Sequence, residues 1–328
     1  MTERADPVPG NLVRMLAPAK VNPYLEVEGR REDGFHELDT LMVALDLADE
    51  LELELCSTPG VHLALSGEYA SDDIPSDERN LAVSASARVL ADALERGTVP
   101  ASTGINLSLS KKIPSQAGLG GGSSDAAAAC LGTAILLGKG WQGGELRAWL
   151  ADLGSDCVFF HDAAMTGFAR CKGRGELVQA LEPIDPSWCF ALLAPDLRVP
   201  TGEVFGALTR ALSEGAVLPS VPERLFFCPE AEARLGLFNR LEAAAQSAIP
   251  ALGAWRNLLD QNGAQHYLLS GSGSTYFGLY RNQEEARASL QGLVRAASQS
   301  GLEVRGTWVA KPLGRGASQL PGHWPARE

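Results

Sequence analysis

The sequence predicts an α+β protein of two successive units, and three observations carry that expectation. Residues 49–54 alternate leucine with acidic side chains, the period of two that marks a half-buried strand. Near the middle, four glycines within five positions, 118 and 120–122, run straight into an alanine-rich helical stretch. Beyond Trp188, strand-like apolar runs and amphipathic helical stretches alternate. A length of 328 residues suits two domains of roughly 100–200 residues each. The division is expected at 1–185 and 186–312, with a tail, 313–328, rich in Pro, Gly and Arg and expected to be frayed.

In order, residues 12–29 read as extended, with Ala17, Val21 and Tyr24 among few helix formers. A polar turn over 29–34 follows, then β-branched and apolar residues over 36–46, and a further β-rich run over 61–65. The first third is therefore read as antiparallel strands joined by tight turns. Leu81, Val83, Ala87, Leu90 and Leu94 recur at helical spacing over 80–93, and 105–109 alternates again as a strand. The alanine-rich helix is expected to start at Ser123 or Ser124, both good N-caps, with Asp125 in its first turn, and to stop near Gly138. Residues 141–152 read as a helix and 159–170 as returning extended structure.

In the second unit, 189–194 is a strand, 195–200 a loop, and 201–212 a helix capped by Thr201 with Glu203 near its start. Prolines interrupt 213–229, which reads as a linker. Helical patterns cover 230–248, 251–261 and 283–298; strands are expected at 267–269, 277–280 and 304–310.

Composition narrows the function. Forty acidic against 28 basic residues give a net charge of -12, which argues against a whole-chain grip on nucleic acid or an anionic membrane. Cys56, Cys130, Cys157, Cys171, Cys189 and Cys228 form no CxxC pair and no zinc spacing, so reduced thiols in a cytoplasmic protein are expected. The first ten residues carry no apolar signal core, and the longest apolar stretch, 126–137, falls short of the roughly 20 residues a membrane span requires.

The chemistry concentrates in Gly118-Leu-Gly-Gly-Gly-Ser-Ser-Asp125. Glycines let the backbone present N–H groups without side chains in the way, and the helix that follows adds unpaired N–H donors and partial positive charge. Together they form an anion cradle suited to phosphate. Lys111 and Lys112 precede it, and the hydroxyl of Ser123 or Ser124 could hold magnesium or a phosphate oxygen. Neither a P-loop, which needs Lys after the glycines, nor a G-x-G-x-x-G dinucleotide motif fits, and kinase H-R-D and D-F-G elements are missing. A second small-residue loop, 271–275, reads as either a site or a plain turn. Lys20 lies in an apolar strand context. Asp156, ahead of the apolar run 157–160, is either an exposed turn residue or a buried functional carboxylate.

Three blocks in this order, Pro18-Ala-Lys-Val-Asn22, Pro114-(x)3-Gly-Leu-Gly-Gly-Gly-Ser-Ser-Asp125 and Ser270-Gly-Ser-Gly-Ser-Thr275, resemble the GHMP kinase superfamily. Gly29-Arg-Arg-Glu-Asp-Gly-Phe-His-Glu-Leu38 and Leu153-Gly-Ser-Asp156 before Phe159-Phe160 point to the branch that phosphorylates the 2-hydroxyl of a cytidine-diphosphate-linked methylerythritol. The likeness spans roughly residues 15–312. It implies a ribosomal-protein-S5-like N-terminal domain, a ferredoxin-like C-terminal domain, ATP with magnesium, a small-molecule acceptor, and a monomer or weak homodimer. It further implies Asp156 as catalytic base, Lys20 as its partner, and ATP binding by Asn80, Lys111, Lys112, Pro114, Gly118, Leu119, Gly120, Gly121, Gly122, Ser123 and Ser124. The substrate side would be Asn22, with Phe35 and Phe205 stacked on cytosine, His36 at its edge, and Gly271, Ser272, Gly273, Ser274 and Thr275 around the diphosphate.

The chain departs from this pattern at Phe35, where tyrosine is usual, at Cys157-Val158 in place of Val-Pro, and at Arg240 within Asn239-Arg-Leu-Glu242. Two other readings stay open at this level: another GHMP small-molecule kinase, acting on homoserine, mevalonate or a sugar, or an inactive ligand-binding relative.

Overall fold

A computed structural model describes residues 12–138, 143–163, 165–214 and 237–320. The chain opens with two long antiparallel strands, β1 (Leu12–Arg30) and β2 (His36–Cys56), in register from Leu12 opposite Glu54 to Arg30 opposite His36. The register slips at three points, one of them between Pro18 and Lys20, where Pro18 offers no N–H to the ladder. β3 (Gly60–Ser66), α1 (Leu81–Glu95) and β4 (Gly104–Ser110) follow, with β3 and β4 running parallel. Next come α2 (Gly121–Leu136), α3 (Gly143–Leu153), α4 (Ser155–Asp162), β5 (Phe168–Gly173) and β6 (Leu177–Ala180).

The rest of the chain supplies β7 (Cys189–Pro195), α5 (Thr201–Ser213), β8 (Phe238–Asn239), α6 (Leu241–Ala248) and α7 (Pro250–Gln261). It finishes with β9 (Leu268–Leu269), β10 (Tyr276–Tyr280), α8 (Gln283–Gln299), β11 (Val304–Ala310) and β12 (Ser318–Gln319). One sheet runs β12-β1-β2-β4-β3, with β5 also on β2, β6 on β5, and β8 on β1. The other runs β11-β7-β10-β9. This mixed α+β architecture agrees with the expected class.

The leucine–acid alternation in β2 does what its period requires. Leu51 and Leu53 are fully buried, while Glu50, Glu52 and Glu54 are partly exposed. Asp49 falls on the buried face with those leucines and is itself fully buried, so it needs a partner inside the protein. The helices α1 and α2 cover this face. A hydrophobic cluster joins the two sheets: Val21 and Val43, opposite each other on β1 and β2, pack in it with Phe190 and Phe277 of the second sheet.

Several expectations are corrected. The run 157–160 is helical: Cys157, Val158, Phe159 and Phe160 are all buried in α4, and the extended return begins only at Phe168. A short run buried on every side carries no periodicity to separate helix from strand. The alanine-rich helix starts at Gly121, with Gly120 in the left-handed region as its cap, so Ser123 and Ser124 lie inside its first turn. Pro200, not Thr201, caps α5. The helix expected from 230 starts at Leu241, because Phe238–Asn239 pairs with Tyr24 and Leu25 of β1. Residues 215–236, which hold most of the expected linker and the start of that helix, lie outside the described residues. The tail is not frayed throughout: Ser318 and Gln319 pair with Leu16 and Met15, and Ala317 N–H donates to the Phe160 carbonyl at 2.9 Å. Among the described residues, no helix is long and apolar enough to cross a membrane.

The seat of α2 on the sheet depends on small residues. A Cβ at Gly132 would come within 2.7 Å of Leu53 Cδ1 and 2.8 Å of Met15 Cγ, both in buried side chains. Gly132→Val is therefore expected to destabilise the protein by about 1–3 kcal/mol, read as a lower urea midpoint with unchanged slope.

Candidate active site

A cavity of about 1220 Å³ opens between the two sheets. Its floor is the turn from Pro114 to Ser123, which leads β4 into α2. Gly118 and Gly120 adopt φ of 75° and 71°, a region where glycine has no steric penalty. The first helical hydrogen bond of α2 runs from Ser124 N–H to the Gly120 carbonyl at 2.9 Å. The N–H groups of Gly121, Gly122 and Ser123 therefore have no helical turn before them, and all three residues line the cavity. No side chain caps this end, which leaves it electropositive.

Lys20 N–H donates to the Leu119 carbonyl at 2.9 Å, which brings β1 against this turn. The Lys20 ammonium donates to Asn22 Oδ1 at 2.7 Å and stands 3.5 Å from Asp156 Oδ2, supplied by the first turn of α4. Asn22 Nδ2 in turn donates to Thr40 Oγ1 at 2.9 Å, and Thr40 donates to the Tyr24 carbonyl at 2.6 Å. Lys20 and Asn22 are buried, whereas the Asp156 side chain keeps 30% of its surface exposed toward the cavity. A carboxylate with solvent access, beside a buried cation and a phosphate-sized cradle, can accept a proton from a bound hydroxyl.

The loop 270–275 meets the glycine turn directly. Ser270 Oγ donates to the Gly118 carbonyl at 2.9 Å, and Thr275 N–H donates to the Ala117 carbonyl at 3.1 Å. A Cβ on Gly118 would lie 2.2 Å from the Ser270 carbonyl oxygen, and one on Gly271 would lie 3.2 Å from Lys20 Nζ. Asn239 holds this loop from below, donating to the Leu269 and Gly271 carbonyls at 2.8 and 2.7 Å.

The far end of the cavity is aromatic. Phe35, His36 and Phe205 all line it. His36 packs on Phe205 with ring centroids 4.8 Å apart, and the Arg174 guanidinium sits 4.9 Å from the Phe35 centroid. Burial, with Arg30 nearby, holds the His36 imidazole below its ordinary pKa.

The structure thus gathers Lys20, Asn22, Phe35, His36, Lys111, Pro114, Gly118, Leu119, Gly120, Gly121, Gly122, Ser123, Asp156, Phe205, Gly271, Ser272 and Gly273 around one cavity. Five expected residues do not face it. Asn80 caps α1, with Oδ1 accepting from Ala82 N–H and Nδ2 donating to the Pro75 carbonyl, so both polar atoms are engaged locally. Lys112 points outward and pairs with Glu50 at 2.6 Å. Ser124 is fully buried. Ser274 donates to the Pro195 carbonyl, and buried Thr275 holds the loop through its backbone. Ser123 keeps the metal-binding option of the two serines, and its hydroxyl also hydrogen-bonds Cys157, whose thiol burial pushes up to about 12.

Lys111 lines the cavity, but its ammonium is bound between two carboxylates, Asp49 and Asp125, the latter at 2.7 Å. Asp49 also accepts from the N–H groups of Lys112 and Ile113. Burial pushes the Asp125 carboxyl upward, against the pull of Lys111. This buried trio clamps the start of the turn to the first turn of α2.

Sequence reasoning missed Arg30, Thr40, Arg174, Thr201 and Thr209, all on the cavity wall. The signal for Thr40 was available: His36, Leu38, Thr40 and Met42 share one face of β2 and all line the cavity. Thr209 lies one helical turn beyond Phe205, and Arg174 sits between Gly173 and Gly175, both at positive φ.

Lys111→Met would leave Asp49 and Asp125 facing each other without a cation, and is expected to cost about 3–5 kcal/mol in urea unfolding. Lys112→Ala, which removes only an outward-facing pair, is expected to stay within about 1 kcal/mol.

Comparison with known proteins gives the geometry a context. Residues 80–165 match the GHMP kinases N terminal domain, and 229–298 match GHMP kinases C terminal. The chain is 38% identical over 269 residues to a 4-diphosphocytidyl-2-C-methyl-D-erythritol kinase of Desulfotalea psychrophila, covering 82% of this chain and 86% of that one. It is 36% identical over 294 residues to the enzyme of the same name from Geobacter metallireducens, covering 89% and 97%. A crystal structure of a 4-(cytidine 5'-diphospho)-2C-methyl-D-erythritol kinase superposes with a TM-score of 0.64 at 31% identity, covering 91% of this chain and 98% of that one. With a two-sheet α+β fold, a glycine cradle against Lys20 and Asp156, and relatives matched over most of their length, the chain belongs to the 4-diphosphocytidyl-2-C-methyl-D-erythritol kinase family of GHMP kinases.

Proposed function

We propose that this chain transfers the γ-phosphoryl group of ATP to the 2-hydroxyl of 4-diphosphocytidyl-2-C-methyl-D-erythritol, a step in the non-mevalonate supply of isoprenoid precursors. One observation carries the reading: a single cavity holds the Lys20–Asp156 pair beside the glycine cradle at one end and an aromatic–imidazole cluster at the other. The first is the apparatus for phosphoryl transfer; the second suits a nucleobase attached to the acceptor. A homoserine, mevalonate or sugar acceptor would leave Phe35, His36 and Phe205 without a ligand group to meet.

The chemistry follows from placement. ATP phosphates bind the N–H groups at the start of α2, where the helix end favours negative charge. Asp156 accepts the proton of the acceptor hydroxyl as its oxygen attacks the γ-phosphorus and the bond to the β-phosphate oxygen breaks. Lys20 stabilises charge on the oxygens in transit, and Asn22 fixes the direction of its ammonium.

Magnesium fits this site through one protein donor, the Ser123 hydroxyl at the cavity wall. Magnesium keeps several waters and takes phosphate oxygens as ligands, so a single protein hydroxyl suffices. When bound it would neutralise phosphate charge. Ser124 is fully buried, which leaves Ser123 as the hydroxyl that faces the cavity. The acceptor is a small molecule, and the acid excess that disfavours nucleic acid leaves a local basic cavity wall.

Two outcomes test the assignment. In an ATP-consumption assay with magnesium, turnover is expected on the cytidylyl-methylerythritol and not on its uridine counterpart, homoserine or mevalonate; turnover confined to homoserine or mevalonate would overturn it. Asp156→Asn is expected to lower kcat by about 10²–10⁴-fold while nucleotide affinity, measured by calorimetry, is retained. Unchanged kcat would remove Asp156 from the base role.

A further inference from the structure

Arg305 is set apart within its own strand. In β11, Val304 lies opposite Pro195 and Gly306 opposite Ala194, so Arg305 is the extra residue of a bulge, a device that re-aims a side chain. Its guanidinium leaves the second sheet and donates from Nη1 to the Ser115 carbonyl at 2.8 Å, at the start of the glycine turn. Tyr69 of the first unit steadies it. The guanidinium carbon lies 5.8 Å from the Tyr69 ring centre, and the Tyr69 hydroxyl donates to the Arg305 carbonyl at 3.3 Å. Gly306 permits this approach, because a Cβ there would fall 2.6 Å from the Tyr69 hydroxyl.

The backbone of the turn shows what the contact serves. Gln116, Gly118 and Gly120 stand at φ of 55°, 75° and 71°, and the residues between them do not have positive φ. Gln116 is the only non-glycine residue in that region among the described residues, a conformation its Cβ disfavours and its surroundings must hold. Such alternation of hand gathers successive N–H groups into a concave nest for anions. The carbonyls are taken by the second unit: Ser115 by Arg305, Ala117 by Thr275 N–H, and Gly118 by Ser270 Oγ. In a trans peptide the carbonyl and the following N–H point in opposite directions, so these bonds leave the N–H groups of Gln116, Gly118 and Leu119 turned away from their donors. None of the three N–H groups has an acceptor among the described residues, and all three residues line the cavity.

We propose that Arg305 is a positioning residue for ATP: it fixes the Ser115–Gln116 peptide so that the phosphate nest extends back from the helix end to the Gln116 N–H. This rests on the reading of the cradle as the ATP phosphate site and adds a residue of the second unit to its construction. Arg305 is not on the cavity wall, so it acts through the turn and not on the reacting atoms. Its charge is felt through the same bond. A guanidinium drawn to the Ser115 carbonyl polarises that peptide and makes the Gln116 N–H a stronger donor. Nucleotide binding and turnover should therefore respond differently to its loss.

The test uses the full chain, with steady-state kinetics and calorimetry. Arg305→Met is expected to raise the KM for ATP about tenfold, the worth of one hydrogen bond from a charged group. The kcat and the KM for the acceptor are expected to change by less than about twofold, the pattern of lost ground-state binding. Affinity for inorganic triphosphate is expected to fall by the same factor as that for ATP, while affinity for adenosine holds, because a nest meets phosphate. Arg305→Lys, which keeps a charged donor, is expected to recover most of the ATP affinity. Arg281→Met removes a guanidinium of the same unit that pairs with Asp185 away from the cavity, and is expected to leave both affinities unchanged. Unchanged ATP and triphosphate affinity in Arg305→Met would overturn the proposal. Equal losses for ATP, adenosine and the acceptor, the mark of general loosening, would also overturn it. An unaltered protein that binds neither ATP nor triphosphate would overturn it together with the kinase reading. Turnover on homoserine in place of the cytidylyl acceptor, with the ATP effect present, would uphold it and fail the acceptor assignment alone.

Discussion

The site depends on two loops, one from each sheet, meeting main chain to main chain at Gly118. Gly118 and the Ser270 carbonyl approach so closely that even a methyl group would have to displace main chain. From that contact the rest follows. The glycine turn is held open toward the cavity, Gly271 is brought to Lys20, and Lys20 is held by its own N–H to Leu119. The phosphate cradle is thus positioned by main chain, whose geometry is stiffer than that of long side chains, while side-chain bonds from Asn22 direct the Lys20 ammonium.

Electrostatics complete the arrangement. A chain with net charge -12 must still receive a polyanionic nucleotide. It does so with a helix end left without a side-chain cap and a buried lysine, Lys20, held beside Asp156 and Asn22. Lys111, the other buried lysine on the cavity wall, is compensated by two carboxylates. Its contribution is the anchoring of the turn rather than free positive charge. Two lysines lining the same cavity therefore act in different ways, and what separates them is the carboxylate count within reach.

Much of this is legible in the sequence, and the failures have physical reasons. The glycine turn is readable because a helix N-terminus next to glycines has one main chemical use, and the strand alternation of residues 49–54 because a period of two has one geometric cause. Lys111 reads as a nucleotide ligand because Asp49 lies 62 residues upstream and meets it only across β2 and β4. α4 reads as extended structure because its four central residues are buried on all sides. Asn80, expected on the nucleotide side, also caps α1, a role its side chain fills with atoms only two residues away.

The Phe35 ring stands more than half exposed on a turn, with Arg174 over its face. Nothing in the hydrophobic core rests on it. An aromatic exchange at that position would leave the interior unaltered, whereas a single methyl at Gly118 would strain the union of both sheets. The two ends of one cavity therefore offer unequal room for evolutionary drift: base preference can be explored by mutation with the fold intact, while the phosphate end is bound to the architecture itself.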